Sequence, residues 1–282
     1  MPTIAIQGES GSFSHEAAMQ LYPDARILPC AISQTAFHAV LSGAADAAVL
    51  PIENSLAGSV LEHYDLLLEH PVVIEREMLL RIEHNLIAMP GTKPEFIERV
   101  YSHPVALAQC RQFFAAHPAM RATPSYDTAG SVKQVMAEGD RTAAAIAPAR
   151  AATEYGAEIL ARNIEDNRQN YTRFLVIKSG DTPRPKHADK ASLAFTLPNR
   201  PGALVAALEV LAGLQANLTH LESRPVLGQP WHYVFYADYQ FGNQEIAAAA
   251  LEGLQGICLS VKELGRYIAA ASLPSGDGKA VK

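Results

Sequence analysis

Asn170-Tyr171-Thr172-Arg173-Phe174 runs into Leu175-Val176-Ile177, a β-prone segment with three polar side chains at its entrance. Side chains alternate along an extended chain, so Asn170, Thr172 and Phe174 share one face and Arg173 takes the other. An amide, a hydroxyl and an aromatic ring on one face suit the wall of a polar cleft. They equally suit an ordinary strand whose polar residues meet solvent. The segments on either side have to decide between the two.

Immediately upstream, 163–170 is polar and reads as a crossing between two lobes. The lobe before it, about 77–167, has strands over 86–88, 99–102, 143–147 and 158–160. Its helices are predicted over 104–116, from a cap at Asp127 to Met136, and over 148–155, the last started by Pro148. The other lobe, about 1–76 and 168–180, has strands over 3–6 and 47–50 and helices from near Ser14, over 34–42 and from Val60. From Val72 the pattern turns extended, with separate strands predicted over 72–74 and 78–82. Two α/β lobes joined by a double crossing leave a cleft between them, with Thr172 beside the second crossing.

Two loops face that cleft. Gln7-Gly8-Glu9-Ser10-Gly11-Ser12-Phe13-Ser14-His15 links a strand to a helix, a place where free N–H groups and the helix dipole favour an anion. It lacks the Gly-Lys-Ser/Thr ending of a phosphate-binding P-loop, and it fits a capped tight turn as well as a carboxylate site. Pro51-Ile52-Glu53-Asn54-Ser55-Leu56-Ala57-Gly58-Ser59-Val60 puts Glu53, Asn54 and Ser55 on a loop at the carboxyl end of a strand, where open α/β sheets bind ligands.

Beyond a linker at 181–190 that holds two prolines and follows Gly180, the elements are predicted in the order strand 193–197, helix 201–214, strand 218–224, strand 232–239, helix 244–254, strand 258–267. That is a βαββαβ, ferredoxin-like unit spanning 191–271, followed by a disordered tail over 272–282.

The chain has 282 residues with 49% hydrophobic and 18% charged, enough for two domains with their own cores. Its 23 basic and 29 acidic residues give a net charge of -6, which argues against non-specific nucleic-acid binding and against an anionic membrane surface. No apolar run approaches the roughly 18 residues of a membrane span. Cys30, Cys110 and Cys258 are odd in number and far apart, as expected of fillers in a reducing compartment. With Thr3-Ile4-Ala5-Ile6 following at once and no basic leader, the expected location is the cytoplasm. His15, His63, His84 and His103 have no metal-ligand spacing, so no metal is expected. His15 and His103 read as cap or core hydrogen-bonding groups, and Trp231 as a core or interface filler.

Six blocks, in order, resemble the monofunctional bacterial prephenate dehydratases with a C-terminal ACT regulatory domain, over residues 2–270. They are GESGSFSHEAA (8–18), PIENSLAGSV (51–60), Ser102-His103-Pro104 with Ala106-Leu107, NYTRF (170–174), Gly202-Ala203-Leu204-Val205, and Glu222-Ser223-Arg224-Pro225. Val105 stands where the family usually has Gln. The resemblance implies an α/β fold: a two-lobed catalytic domain like type 2 periplasmic binding proteins plus a ferredoxin-like ACT domain. It implies conversion of prephenate to phenylpyruvate with loss of CO2 and water, without a cofactor. Thr172 is then the catalytic hydroxyl. The expected substrate-binding residues are Ser10, Ser12, Ser14, Glu53, Asn54, Ser55, Ser102, Asn170, Arg173 and Phe174. Arg173 either pairs with a substrate carboxylate or braces the Glu53 loop.

Phenylalanine is expected as effector between ACT domains of two subunits, at Gly202, Ala203, Leu204, Val205, Asn217, Leu218, Glu222, Ser223 and Arg224. Arg224 serves either that pocket or a dimer-edge salt bridge, and paired ACT domains imply a homodimer or homotetramer. Two other readings fit the same residues: arogenate in place of prephenate, and a non-catalytic two-lobed amino-acid sensor.

Overall fold

The computed structural model describes residues 1–226 and 228–271, so the tail predicted over 272–282 lies outside the described residues. The chain divides into two compact units, Met1–His63 with Leu79–Phe174, and Tyr64–Met78 with the chain from Leu175 on.

The chain begins with β1 (Thr3–Gln7), α1 (Phe13–Leu21), β2 (Arg26–Cys30), α2 (Ser33–Leu41), β3 (Ala47–Asn54) and β4 (Gly58–Ser59). Then come α3 (Leu61–Glu69) and β5 (Val72–Arg81). β5 is one ten-residue strand where two were predicted. β1 pairs in parallel with β2 and with β3. β2 was not predicted: it is a sheet edge, and its Pro29 is tolerated only because no further strand needs that N–H. β3 also runs four residues past its prediction, because Glu53 and Asn54 pair with Ser59 and Gly58 of β4 in a hairpin. Glu53 and Asn54 are therefore strand residues, not loop residues.

The second sheet follows: β6 (Asn85–Ala88), β7 (Arg99–Ser102), α4 (Pro104–Ala108), α5 (Arg111–Ala116) and β8 (Arg121–Pro124). It is completed by α6 (Thr128–Glu138), β9 (Ala143–Ala147), α7 (Ala149–Tyr155) and β10 (Glu158–Ala161), in strand order β10-β6-β9-β7-β8. β9 is buried on both faces. Ala144 and Ile146 join Leu86, Val100 and Cys110 on one side, while Ala143, Ala145 and Ala147 join Ile87, Val132 and Val135 under α6 on the other. A strand sandwiched in this way reads as a continuous apolar run, and the small alanines let both layers approach. The single helix predicted over 104–116 is broken. Asp166 takes the N–H groups of Arg111 and Gln112 at 3.0 and 2.9 Å and so starts a separate helix. The break frees Gln109 at the end of α4.

β11 (Tyr171–Ser179) returns between β3 and β5, completing the order β2-β1-β3-β11-β5 with β4 on β3. Its N-terminal end lies in the first unit, where Asn170 accepts from Ile82 N–H at 2.8 Å and Tyr171 from Ser55 N–H at 2.8 Å.

In the second unit β12 (Lys190–Thr196), α8 (Ala203–Gly213), β13 (Asn217–Pro225), β14 (Tyr233–Gln240), α9 (Gln244–Gln255) and β15 (Ser260–Tyr267) form βαββαβ, with sheet order β13-β14-β12-β15. Ala191, Leu193 and Phe195 of β12 alternate into the core beneath both helices. Their neighbour Ser192 points the other way, bonded to Asp238 at 2.5 Å and to the Tyr267 hydroxyl at 2.7 Å. The Tyr64–Met78 segment is tied to this sheet. Lys262 donates to the carbonyls of Leu67, Leu68 and His70 at the end of α3, and Lys190 pairs with Glu77 at 2.9 Å. Trp231 is 77% exposed, which removes the core role.

Candidate active site

A cavity of about 450 Å³ opens in the first unit, within the range of small-molecule sites. Gln7, Ser12 and Ser14 reach it from the β1–α1 loop, Asn54, Gly58 and Ser59 from the β3–β4 hairpin, and Thr172 and Phe174 from β11. The second sheet contributes His103, Val105 and Gln109, with Tyr126, Asp127 and Thr128 at the start of α6.

The β1–α1 loop holds its shape through its own side chains. Ser12 caps α1 by accepting His15 N–H at 3.3 Å, and the His15 ring accepts Gly11 N–H at 2.8 Å. Gly8 and Gly11 have φ of +95° and +85°, and a Cβ on either would meet a neighbour, Asp127 Oδ2 at 2.9 Å or Ala151 Cα at 2.8 Å. Loop and second sheet are also joined by Tyr155 donating to the Ser10 carbonyl at 2.8 Å and by Glu9 holding Lys133 at 2.9 Å and Tyr126 at 3.2 Å.

Thr172 sits at the centre of an amide network. Asn54 Nδ2 donates to Thr172 Oγ1 at 2.9 Å, to Asn170 Oδ1 at 2.8 Å and to the Tyr171 carbonyl at 3.2 Å. Asn54 Oδ1 accepts Leu56 N–H at 3.0 Å and Ala57 N–H at 2.9 Å, which fixes the amide's orientation. Asn170 Nδ2 donates to Gln109 Oε1 at 2.9 Å, and His84 Nε2 lies 2.8 Å from the same oxygen. A hydroxyl oxygen that accepts the Asn54 amide keeps its own O–H to donate elsewhere. The network therefore prepares Thr172 as a donor.

Strand alternation holds at β11. Thr172 and Phe174 line the cavity, and Arg173 does not: its guanidinium lies 3.6 Å from Glu53, the residue beside Asn54 on the adjacent strand. Of the two roles open for Arg173, bracing Glu53 is the one the geometry supports, and neither residue lines the cavity. Asn170 is buried behind the wall and acts on the site through Asn54 and Gln109. Ser55 is used to stitch the hairpin to β11, donating to the Gln169 carbonyl at 3.2 Å and accepting Tyr171 N–H at 3.0 Å. Ser102 is fully buried and donates to the Ile146 carbonyl at 2.6 Å. Ser10, like Ser55 and Ser102, is absent from the lining. Of the residues expected to bind substrate, the cavity brings together Ser12, Ser14, Asn54 and Phe174, with Thr172.

Gln109, His84 and Asp127 line the cavity without having been expected there: the sequence marks Asp127 only as a helix cap and His84 only as lacking metal-ligand spacing. Burial lowers the His84 pKa from 6.5. Burial raises that of Asp127, against the Gly130 N–H bonded to its Oδ1 at 2.7 Å. His103 is the N-cap of α4, accepting Val105 N–H at 3.3 Å. Among the described residues no group of three His, Cys, Asp or Glu is disposed to hold a metal ion.

Of the effector residues, Gly202 starts α8, Asn217 and Leu218 open β13, and Val205 is 58% exposed. Arg224 is engaged within the chain, gripping both carboxylate oxygens of Asp65 on α3.

Residues 4–182 match the family model of prephenate dehydratase. An arogenate dehydratase/prephenate dehydratase (isoform 2, chloroplastic) of Arabidopsis thaliana is 40% identical over 275 residues, covering 94% of this chain and 72% of its own. A solved prephenate dehydratase from Arthrobacter aurescens, in complex with L-Phe, is 36% identical, covers 94% of this chain and 89% of its own, and superposes with a TM-score of 0.85. A solved structure described as a novel type of quorum quenching acylase is 35% identical, covers 95% and 98%, and has a TM-score of 0.87. With the profile match spanning both sheets that frame the cavity and relatives aligned along nearly the whole length, the chain belongs to the prephenate dehydratase family.

Proposed function

We propose that this protein is a lyase that converts prephenate to phenylpyruvate, with Thr172 as the hydroxyl that assists departure of the ring oxygen. The observation that carries the reading is the 2.9 Å bond from Asn54 Nδ2 to Thr172 Oγ1. Loss of CO2 from one ring carbon and of hydroxide from the opposite one makes the ring aromatic, so the enzyme has to hold the ring and ease the leaving group. A threonine hydroxyl is too weak an acid to supply a full proton near neutral pH. Its contribution is a hydrogen bond that strengthens as the oxygen gains charge, with Asn54 polarising it. Phe174 offers an apolar wall to the ring, while Ser12, Ser14 and the start of α1 offer hydroxyl and N–H donors to a carboxylate.

The reading assigns 1–180 to the catalytic domain and 191–271 to an ACT domain, supported by the βαββαβ order of the second unit. The Arthrobacter aurescens relative solved with L-Phe supports L-phenylalanine as a feedback effector, bound between ACT domains of a homodimer or homotetramer. Product and effector then place the enzyme in phenylalanine synthesis. Cys30, Cys110 and Cys258 are free thiols, which fits a reducing cytoplasm.

Incubation with prephenate and reading of phenylpyruvate by its absorbance in alkali tests the reaction. Phenylpyruvate is expected at a rate proportional to enzyme. Folded protein that leaves both prephenate and arogenate untouched would make it a two-lobed binding protein instead.

A further inference from the structure

The charge of the cavity wall bears on which substrate it takes. Among the described residues no Lys or Arg lines it, Asp127 is its single carboxylate, and His84 and His103 are its imidazoles. That carboxylate is oriented by the helix it caps: Oδ1 accepts the Gly130 N–H at 2.7 Å, and Oδ2 lies on the side of Gly8, where a Cβ would come within 2.9 Å of it. The nearby Glu9 is compensated by Lys133 at 2.9 Å, but Asp127 has no salt bridge among the described residues.

The two substrates of this reaction class share the ring, its carboxylate and its hydroxyl, and they differ in the side chain. Prephenate carries a 2-oxo acid and is a dianion, whereas arogenate carries a 2-amino acid and brings an ammonium. Both substrates carry two carboxylates, which meet hydroxyl, amide and imidazole groups on this wall; only arogenate brings an ammonium, and Asp127 is the carboxylate that can pair with it.

We propose that Asp127 is a specificity-determining residue that pairs with the substrate's ammonium, so that arogenate is taken in preference to prephenate. This rests on the proposed chemistry, the decarboxylating dehydration assisted by Thr172, and makes the conversion of arogenate to phenylalanine the faster of two that the site carries out. Burial raises the Asp127 pKa, and a bound ammonium offsets that desolvation, whereas the neutral 2-oxo group of prephenate does not.

The test measures kcat/KM for arogenate and for prephenate from initial rates with the full chain and Asp127→Asn. Asparagine keeps the side-chain oxygen that caps α6 and removes only the charge, and a thermal melt verifies the fold. The wild type is expected to favour arogenate. Asp127→Asn is expected to lower its kcat/KM for arogenate by about tenfold or more and to raise that for prephenate about two- to fivefold. Glu9→Gln, which removes a neighbouring charge outside the cavity lining, is expected to leave the ratio of the two substrates alone. A wild type that prefers prephenate, or an Asp127→Asn variant in which both values change by one factor, overturns the assignment while leaving the reaction intact. A folded enzyme idle on both substrates overturns the reaction and this inference together.

Discussion

Asn54 reaches the hydroxyl of Thr172 at 2.9 Å across 118 residues of sequence, and the same amide holds Asn170 at 2.8 Å. Three polar residues from a hairpin and a returning strand thus form one unit, and the direction of its hydrogen bonds decides which atom is left to act on a substrate. Thr172→Ala removes that donor. The expected result is a kcat about 10²- to 10³-fold lower with KM changed little, because the bond matters most as charge develops on the leaving oxygen. Thr172→Ser keeps the hydroxyl and should retain most of the rate. Steady-state kinetics on both variants checks this; a near-normal kcat for Thr172→Ala removes the residue from the mechanism.

Asn54→Ala tests the other half of the pair. It strips the polarising donor from Thr172 and leaves Asn170 Oδ1 and the N–H groups of Leu56 and Ala57 without their partner. A fall in kcat of about 10²-fold is expected, together with a stability loss of roughly 1–3 kcal/mol from the groups left unsatisfied. Urea denaturation beside kinetics separates the two effects. Loss of stability with unchanged kcat would confine Asn54 to holding the hairpin.

Arg173 lies on the opposite face of β11 from Thr172, 3.6 Å from Glu53. Its removal should therefore be felt in folding before it is felt in chemistry. Arg173→Met is expected to destabilise by roughly 1–3 kcal/mol, discounted from a fully buried pair because Glu53 is 37% exposed. KM should stay within about threefold of wild type. A rise in KM of a hundredfold with normal stability would instead assign the guanidinium to a substrate carboxylate.

What the sequence made legible follows from how local each signal is. The β9 run Ala143–Ala147, the Asp127 cap and the β11 alternation are local patterns, and the chain adopts them. β2 was hidden by Pro29, which is acceptable only because the strand is a sheet edge. Gln109 was hidden inside an Ala-rich stretch read as one helix; only Asp166, 54 residues from Gln112, breaks that helix and turns Gln109 into the site. Ser10, Ser55 and Ser102 are expected as substrate ligands through the family resemblance, which carries over motif positions but not the direction of each side chain. The fold spends the hydroxyls of Ser55 and Ser102 on backbone carbonyls. Asp127 shows the reverse: a residue with a complete structural explanation as a cap still presents its carboxylate to the cavity.

Arg224, expected at the effector site, grips Asp65 through two nitrogens, with Nε at 3.1 Å from Oδ1. Both side chains are about a third exposed, which limits the pair's worth despite its fork geometry. A double-mutant cycle with Asp65→Ala and Arg224→Ala is expected to give a coupling of about 1 kcal/mol in thermal or urea unfolding. A coupling indistinguishable from zero would release Arg224 for the effector or for a partner subunit.

His63 gives the fold a pH dependence whose sign is fixed by its partners. Its Nδ1 bonds the Pro51 carbonyl, which can only accept, so Nδ1 carries the hydrogen, and Nε2 accepts from the Ser33 hydroxyl at 2.7 Å. That is the neutral ring, and burial keeps it neutral by lowering its pKa below 6.5; burial does the same to His84. Below pH 6.5 the unfolded chain takes up protons at both histidines that the folded chain refuses until lower pH. Stability is therefore fully present above 6.5 and is lost as pH falls through that value toward the lowered folded pKa values. Unfolding followed from about pH 7.5 to about pH 5.5 should show Tm falling with acid, and His63→Gln should flatten the slope even where it lowers the plateau. A wild-type Tm that does not change across this range, or an equally steep fall in His63→Gln and His84→Gln, would place the acid sensitivity elsewhere.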